Sequence, residues 1–117
     1  MFAAIEGGCI GGAVDMVTAC DIRIASREAF FCIQEINIGM AADVGTLQRL
    51  PKIIPDSKMR EMAYTGRRMY AEEAKESGLI SNMYETQKEM LDGANKLAKE
   101  IASKSPLAIY LSLIHIS

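Results

Sequence analysis

The first half of the chain alternates short apolar runs with glycines and isolated acids. Phe2–Ile5 is an apolar run that stops at a glycine pair, and the next apolar segment opens with Gly11 and Gly12. This order predicts a strand, a glycine turn and a helix over residues 2–19. Two more short strands and then a loop are predicted, in order, over residues 20–25, 29–33 and 36–45.

The second half of the chain has the spacing of amphipathic helices. Between Thr86 and Ser103, apolar residues recur at intervals of about 3.6, with Lys and Glu between them, which is typical of a surface helix. Pro106 stands at the first position of a last helix, and Gly78 occupies the cap position after a shorter one. The remaining predicted elements are helices over residues 43–50, 55–64 and 71–77 and a strand over 79–84. The pattern therefore predicts a mixed α/β fold, with strands and glycine turns followed by a helical second half.

The composition argues against several classes of protein, namely nucleic-acid-binding, membrane-spanning, disulfide-rich and zinc-binding proteins. The chain has 117 residues, which is room for one small domain, and 13 Lys and Arg against 15 Asp and Glu give a net charge of −2, which argues against a nucleic-acid-binding surface. No apolar run reaches the roughly 18 residues of a membrane span, and the first residues do not resemble a signal peptide. Three cysteines and one histidine favour a reducing compartment over a disulfide framework or a zinc site. We expect the cysteines to be small core residues.

The glycine pair Gly11–Gly12 is the first candidate for chemistry. A strand that runs through glycines into a helix leaves backbone N–H groups unpaired at the helix N-terminus. Such groups can bind an anion or a developing oxyanion. The alternative is a tight turn that only packs a helix on a strand. The spacing fits neither a dinucleotide-binding nor a P-loop motif.

Three acids stand in apolar surroundings, at Asp15, Glu35 and Asp43. Burying a carboxylate in such a setting costs free energy unless the group is paired with a donor or has a catalytic function. A carboxyl group in such a setting is suited to proton transfer. We therefore expect the three carboxylates to open toward one cavity beside Gly12. Each also has a structural explanation. Asp15 would be a first-turn acid stabilised by the helix dipole, Asp43 the N-cap of the next helix, and Glu35 a solvent-facing side chain.

Over roughly residues 3–109 the chain resembles the central part of the crotonase (enoyl-CoA hydratase/isomerase) superfamily. The resemblance rests on seven segments in the family's order, namely AAIEGGCIGGAVD, ACDIR, AFF, EINIG, AADVGTLQRLPK, YTGRRM and AEEAKESGLI. Ala13 departs from the family by replacing the third glycine of the turn. The resemblance implies an α/β fold that forms the central part of a crotonase-like (ClpP/crotonase) spiral.

The three acids resemble those of the dienoyl-CoA isomerase branch, which converts 3,5-dienoyl-CoA to 2,4-dienoyl-CoA in fatty acid beta-oxidation. The resemblance implies that Glu35 is the base at C2, that Asp43 delivers a proton at C6, and that Asp15 is a neighbouring acid. It also implies that Gly11 and Gly12 bind the substrate, with the Gly12 N–H in the oxyanion hole.

The resemblance further implies an acyl-CoA thioester substrate, no cofactor beyond the coenzyme A of the substrate, no metal, and a homo-trimer or hexamer. The expected location is intracellular, in the cytoplasm of a bacterium or in the mitochondrial or peroxisomal matrix of a eukaryote.

Two alternatives stay open. The first is an enoyl-CoA hydratase or another enoyl-CoA isomerase, although hydratases usually carry Glu where Asp15 stands and a glycine-rich loop where Asp43 stands. The second is a catalytically inactive fragment, because in the family a preceding βα region supplies the second oxyanion donor and most coenzyme A contacts. We accordingly expect residues 1–110 to be a partial crotonase-like domain that lacks this region and the C-terminal helices. Residues 111–117 would be an atypical tail.

Overall fold

The structure is a computed structural model that describes residues 1–40 and 45–116. The strands of these residues are β1 (Phe2–Ile5), β2 (Gly8–Ile10), β3 (Ile22–Ser26), β4 (Phe30–Cys32), β5 (Arg68–Tyr70) and β6 (Asn82–Tyr84). The α-helices are α1 (Gly12–Thr18), α2 (Thr46–Arg49), α3 (Asp56–Thr65), α4 (Ala71–Ser77), α5 (Gln87–Ala102) and α6 (Pro106–Ile116). Two 3₁₀ turns span Gln34–Ile38 and Leu50–Lys52.

The strands form two small sheets. In the first sheet β1, β3 and β6 lie side by side in that order and all run parallel, with Ala4 opposite Ile24. In the second sheet β2 is parallel to β4, with Cys9 opposite Phe31, and β5 is antiparallel to β4. Parallel strands need crossover connections, and here helices follow β2 and β4–β5 along the chain before the next strand pairs. The predicted mixed α/β fold is confirmed.

One buried core joins both sheets and the helices around them. Phe31, Met62 and Met69 are fully buried within it, and α5 packs on the three strands of the first sheet. The cluster also includes two apolar residues of α1, Val14 and Val17. Because the core fixes α1 against the second sheet, the acid that α1 carries is fixed as well.

Several predicted elements are confirmed with small shifts. Helix α4 covers the predicted residues 71–77, and α1 and α5 end within one or two residues of the predicted bounds. The helix predicted over 43–50 begins at Thr46 in the described residues, and residues 41–44 lie outside them. No helix of the described residues is long and apolar enough to cross a bilayer.

Three elements differ from the sequence prediction. Strand β2 was predicted as part of a glycine turn, yet Gly8 pairs with Phe30. A β-carbon on Gly8 would lie 2.8 Å from the Phe30 ring, so glycine here permits close strand packing.

The segment predicted as a loop from residue 36 begins within the 3₁₀ turn Gln34–Ile38. A 2.8 Å hydrogen bond from the Met40 N–H to the Glu35 carbonyl oxygen closes this turn. Strand β5 was missed, because its pairing with β4 is a tertiary contact.

Helix α6 crosses residue 110, where we placed the end of the partial domain. The helix is continuous from Pro106 to Ile116. Its large apolar side chains Leu107, Tyr110 and Leu113 are exposed in this chain.

An ion-pair network joins α3 to α4 through the carboxylate of Glu73. Arg67 donates two hydrogen bonds to Glu73, at 2.9 and 2.8 Å, and the Lys58 ammonium lies 2.9 Å from the same carboxylate. A two-pronged Arg–carboxylate pair is among the stronger charged contacts. The hydrogen bonds from Arg67, followed by those from Lys58, lower the pKa of Glu73 to about 2.

We predict that Glu73→Gln lowers the free energy of unfolding by roughly 1 kcal/mol at pH 7, the upper range for partly exposed pairs. Because the folded-state pKa lies below the ordinary value of 4.5, the carboxylate stabilises the fold above about pH 4.5, and this contribution is lost as the pH falls toward 2. Chemical denaturation across this pH range, with the exposed Glu76→Gln on the same helix as control, measures the difference. A gap to wild type that stays constant down to pH 2 would contradict the prediction.

Candidate active site

The turn at Gly11 sets the position of the candidate site. Gly11 has φ 59° and ψ −120°, and its N–H donates to the Cys32 carbonyl oxygen at 3.0 Å. Residues with a β-carbon rarely adopt this backbone conformation, so only glycine joins β2 to α1 here without strain. The hydrogen bond ties the beginning of α1 to the end of β4. The first N–H groups of α1 therefore lie next to the chain that leaves β4.

Glu35 lies on that departing chain, in the 3₁₀ turn that follows β4. A β-carbon built on Gly11 would be 3.9 Å from Glu35 Oε1, so the carboxylate lies against the glycine turn. Glu35 Oε2 is buried and has no hydrogen-bond partner in the described residues. The alternative that Glu35 simply faces solvent is therefore wrong, because this oxygen is buried. A buried carboxylate oxygen without a partner is unfavourable, and such groups concentrate at functional sites.

The turn that carries Glu35 is held by residues that the sequence analysis did not single out. Asn37 Nδ2 donates to the Gly66 carbonyl oxygen at 3.2 Å and to Gln34 Oε1 at 3.0 Å. The Cys32 thiol also donates to the Gly66 carbonyl oxygen, at 3.2 Å. These bonds fasten the 3₁₀ turn to the end of α3. Asn37 belongs to the EINIG segment of the resemblance, but nothing in the spacing of that segment indicates its contact with Gly66.

Asp15 lies in the first turn of α1 and is buried, with 5% of the residue exposed. Its Oδ1 accepts the Thr46 N–H at 3.1 Å and also the Thr46 hydroxyl. Arg49 Nη2 donates to the Asp15 carbonyl oxygen at 2.6 Å. The carboxylate is thus paired across the interface between α1 and α2, and its first-turn position agrees with the dipole explanation as well.

Asp15 and Gly12 line one cleft of about 450 Å³, together with Met1, Met16, Ala19 and Arg49. A β-carbon on Gly12 would meet no atom within 4 Å, so the backbone at the beginning of α1 is open to a ligand. The structure therefore brings two of the predicted site residues to one cleft. Glu35 is not among the described lining residues of that cleft and lies against the neighbouring Gly11.

Asp43 lies outside the described residues. The helix after it begins at Thr46, and the cap position is occupied by Gly45. Thr46 is a site residue that the sequence analysis missed. A single threonine after a glycine has no distinguishing pattern, and only the tertiary contact with Asp15 reveals its role.

An apolar cleft of about 410 Å³ borders the turn of Glu35. Ile33 and Ile36, which flank Glu35 in the sequence, line it together with Leu47 and Tyr64. Its other described lining residues are Gly39, Met40 and Ala63. The walls are almost wholly hydrocarbon, and hydrophobic walls with a few polar groups nearby are typical of small-molecule sites.

The cysteines are core residues and not reactive groups of this site, although Cys32 helps to hold the turn of Glu35. Cys9, Cys20 and Cys32 are free thiols and all three are buried, as predicted for small core residues. Burial raises the pKa of the Cys9 thiol to about 11, which keeps it protonated and unreactive. Within the described residues no cluster of three His, Cys, Asp or Glu side chains has the arrangement of a metal site.

Residues 1–113 match the family profile Enoyl-CoA hydratase/isomerase. The chain belongs to this family, which confirms the resemblance of its seven sequence segments. Among curated proteins it is 52% identical over 117 residues to the mitochondrial Delta(3,5)-Delta(2,4)-dienoyl-CoA isomerase of Homo sapiens, covering 99% of this chain and 36% of the relative. It is 48% identical to the peroxisomal Delta(3,5)-Delta(2,4)-dienoyl-CoA isomerase of Arabidopsis thaliana, covering 93% of this chain and 39% of the relative. The chain thus spans little more than a third of the length of these relatives.

The solved structures give the same family and the fold. A crystal structure of an enoyl-CoA hydratase from Mycobacterium tuberculosis H37Rv matches with a TM-score of 0.93 at 36% identity, over 98% of this chain and 45% of that one. An enoyl-CoA hydratase from Mycobacterium marinum matches with a TM-score of 0.86 at 36% identity, over 92% of this chain and 44% of that one. The expected crotonase-like fold is therefore confirmed.

We predict that Gly11→Ala lowers the free energy of unfolding by about 1–3 kcal/mol, because a β-carbon strains the backbone at φ 59° and ψ −120°. The matched control is Gly12→Ala, where the added methyl group has open space and a helical position favours alanine. Thermal unfolding followed by circular dichroism measures both variants. Equal losses at the two positions would show that the turn imposes no special requirement at Gly11.

Proposed function

We propose that this chain contributes the acid–base centre of an isomerase that converts 3,5-dienoyl-CoA to 2,4-dienoyl-CoA. The observation that carries the proposal is the Glu35 carboxylate, whose buried Oε2 lacks a partner in the described residues and which lies against the Gly11 turn. A carboxylate held in this way beside exposed backbone N–H groups is suited to remove a proton next to a carbonyl group.

The Gly12 N–H is proposed to bind the carbonyl oxygen of the acyl thioester. Removal of a proton from C2 moves negative charge onto that oxygen, and a fixed N–H donor stabilises the charge where it develops. Support comes from the open space around Gly12 and from its position on the wall of the 450 Å³ cleft. Coenzyme A enters as part of the substrate, and the proposed chemistry uses no cofactor or metal.

Glu35 is proposed to take the proton from C2 and Asp43 to give a proton at C6. The electron pair of the broken C2–H bond forms the C2–C3 double bond, the C3–C4 π pair moves to form the C4–C5 double bond, and the C5–C6 π pair forms the new C6–H bond. The net change moves one proton from C2 to C6. Those two carbons lie too far apart for one carboxylate to serve both, so two acids are required.

Asp15 is proposed to be the third acid of the site, which helps to maintain its protonation pattern. A hydratase would instead need a pair of acids that hold a water molecule between them. Asp15 Oδ1 already accepts two hydrogen bonds from Thr46, so one of its oxygens is occupied. Only its other oxygen remains for the proposed contacts within the site.

The relatives support the same branch, and they also indicate a longer protein. The relatives from Homo sapiens and Arabidopsis thaliana carry the name of a dienoyl-CoA isomerase at 52% and 48% identity, and this chain covers 36% and 39% of them. We propose that the chain acts within a polypeptide of that length, as an acyl-CoA-binding homo-trimer or hexamer. The remainder would supply the second oxyanion donor and most coenzyme A contacts.

Purified residues 1–117 should therefore show little or no turnover of a 3,5-dienoyl-CoA. The loss of one oxyanion donor alone lowers the rate by about 10²–10³. Spectrophotometric assay of the conjugated 2,4-dienoyl product, beside the full-length protein as positive control, measures the difference. Activity of the short chain equal to that of the full-length protein would refute the proposed need for the other residues.

In the full-length protein, Glu35→Gln and Asp43→Asn should each lower isomerase turnover by about 10²–10⁴, the usual contribution of a general acid or base. Both amides keep the size of the acid but cannot transfer its proton. The variants should differ in solvent-deuterium exchange at C2, which Glu35→Gln stops and Asp43→Asn leaves partly active. Near-normal isomerisation by Asp43→Asn would instead indicate a hydratase or a single-base isomerase.

A further inference from the structure

In the contact between Thr46 and Asp15, both hydrogen-bond donors of Thr46 bind one oxygen of the carboxylate. Both donors of Thr46, its backbone N–H and its hydroxyl, bind the same carboxylate oxygen, Oδ1 of Asp15. Thr46 is 1% exposed and Asp15 is 5% exposed, so this contact is shielded from water. In the described residues no hydrogen bond reaches the other oxygen, Oδ2, and that oxygen is not among the buried atoms without a partner.

We propose that Thr46 is a positioning residue that directs the second oxygen of Asp15 toward the cleft beside Gly12. Two donors on Oδ1 fix the rotation of the carboxyl group about its Cβ–Cγ bond. They also occupy the lone pairs of Oδ1, so a proton carried by this carboxyl group resides on Oδ2. Because Asp15 lines the 450 Å³ cleft with Gly12, Oδ2 is the oxygen available to a reacting molecule.

The helix pair around this contact holds Thr46 in place. Arg49, one turn after Thr46, donates from Nη2 to the backbone carbonyl oxygen of Asp15 at 2.6 Å. Gly45 has φ 106°, and a β-carbon there would overlap the Arg49 guanidinium group. The glycine therefore allows Arg49 to fold back over the beginning of α2. Both ends of Asp15, its carbonyl oxygen and its carboxylate, are held by residues of one short helix.

A purely structural explanation competes with this inference. Asp15 Oδ1 accepts the first N–H of α2, so it acts as a cap supplied by another helix. In that case the Thr46 hydroxyl would only add stability. The two explanations differ in what happens to catalysis when the hydroxyl is removed and the N–H is kept.

The inference rests on the proposed isomerase activity, and Thr46→Val in the full-length protein tests it. Valine has nearly the shape of threonine and keeps the N–H, so only the hydroxyl donor to Asp15 is lost. Misplacement of a reacting group by about 1 Å costs on the order of 10²-fold in rate. We expect kcat to fall by about 10–100-fold with KM changed less than about threefold. Thr46→Ser, which keeps the hydroxyl, should restore most of kcat.

Thr18→Val is the matched control for removal of a buried hydroxyl. The Thr18 hydroxyl lies 2.9 and 3.0 Å from the carbonyl oxygens of Val14 and Asp15, which share its one hydrogen, and it accepts from Arg49 Nε at 3.3 Å. Its removal disturbs the same helix pair without touching a carboxylate. We expect a loss of thermal stability similar to that of Thr46→Val, with kcat within about twofold of wild type.

A double-mutant cycle asks whether Thr46 acts through Asp15. If it does, Asp15→Asn combined with Thr46→Val should be no slower than Asp15→Asn alone, because coupled residues give non-additive effects. Additive losses, an unchanged kcat in Thr46→Val, an equal kcat loss in Thr18→Val, or no rescue by Thr46→Ser would each overturn the inference. If Thr46→Val fails to fold by circular dichroism, Thr46→Ala replaces it in the same cycle.

Wild type and Glu35→Gln are assayed in parallel, so that a failure of the proposed isomerase function can be told apart from a failure of the proposed role of Thr46. Absence of isomerisation by the wild type refutes the proposed function and this inference with it. An active wild type with an inactive Glu35→Gln and a fully active Thr46→Val supports the function and refutes only the role of Thr46.

Discussion

The arrangement of this protein depends on one backbone conformation, at Gly11. Its positive φ lets β2 turn directly into α1, and its N–H binds the carbonyl oxygen at the end of β4. This single connection places the exposed beginning of α1 beside the turn that carries Glu35. A residue with a β-carbon would strain this turn. The position of α1, and of the Asp15 that it carries, therefore depends on the conformation of Gly11.

The two candidate site acids that the structure describes, Glu35 and Asp15, are held in different ways, which suits different tasks. Glu35 has a buried oxygen without a partner, beside an apolar cleft. Asp15 is paired with Thr46 and fixed at its backbone by Arg49. A group that transfers a proton must remain available to the substrate, whereas a group that shapes the site can be committed to the scaffold. The contrast in hydrogen bonding is in keeping with the proposed roles, in which Glu35 is the base and Asp15 is an acid whose orientation is fixed.

The apolar surface of this chain is in keeping with its coverage of the relatives. The side chains of α6, such as Leu107 and Tyr110, are exposed, and the chain spans 36% of the human relative. Small chains bury a smaller fraction of their apolar surface than large ones. Even so, the core of both sheets is closed around Phe31 and Met62, and the Glu73 network fastens α3 to α4. The central region of the fold is thus internally packed, while α6 exposes large apolar side chains.

The sequence by itself determined most of the local helices and strands and the acids that are candidates for catalysis. Gly78 marked the end of α4, the spacing of apolar residues marked α5, and the apolar neighbours of Asp15 and Glu35 marked them as unusual acids. Such features depend on residues close in the chain, so a pattern can reveal them. Only the tertiary structure decided that Gly8–Ile10 is a strand, that Thr46 pairs with Asp15 across 31 positions, and that one oxygen of Glu35 is left without a partner in the described residues. Strand pairing and side-chain hydrogen bonds between distant segments are set by how the core packs, and neither periodicity nor spacing encodes that packing.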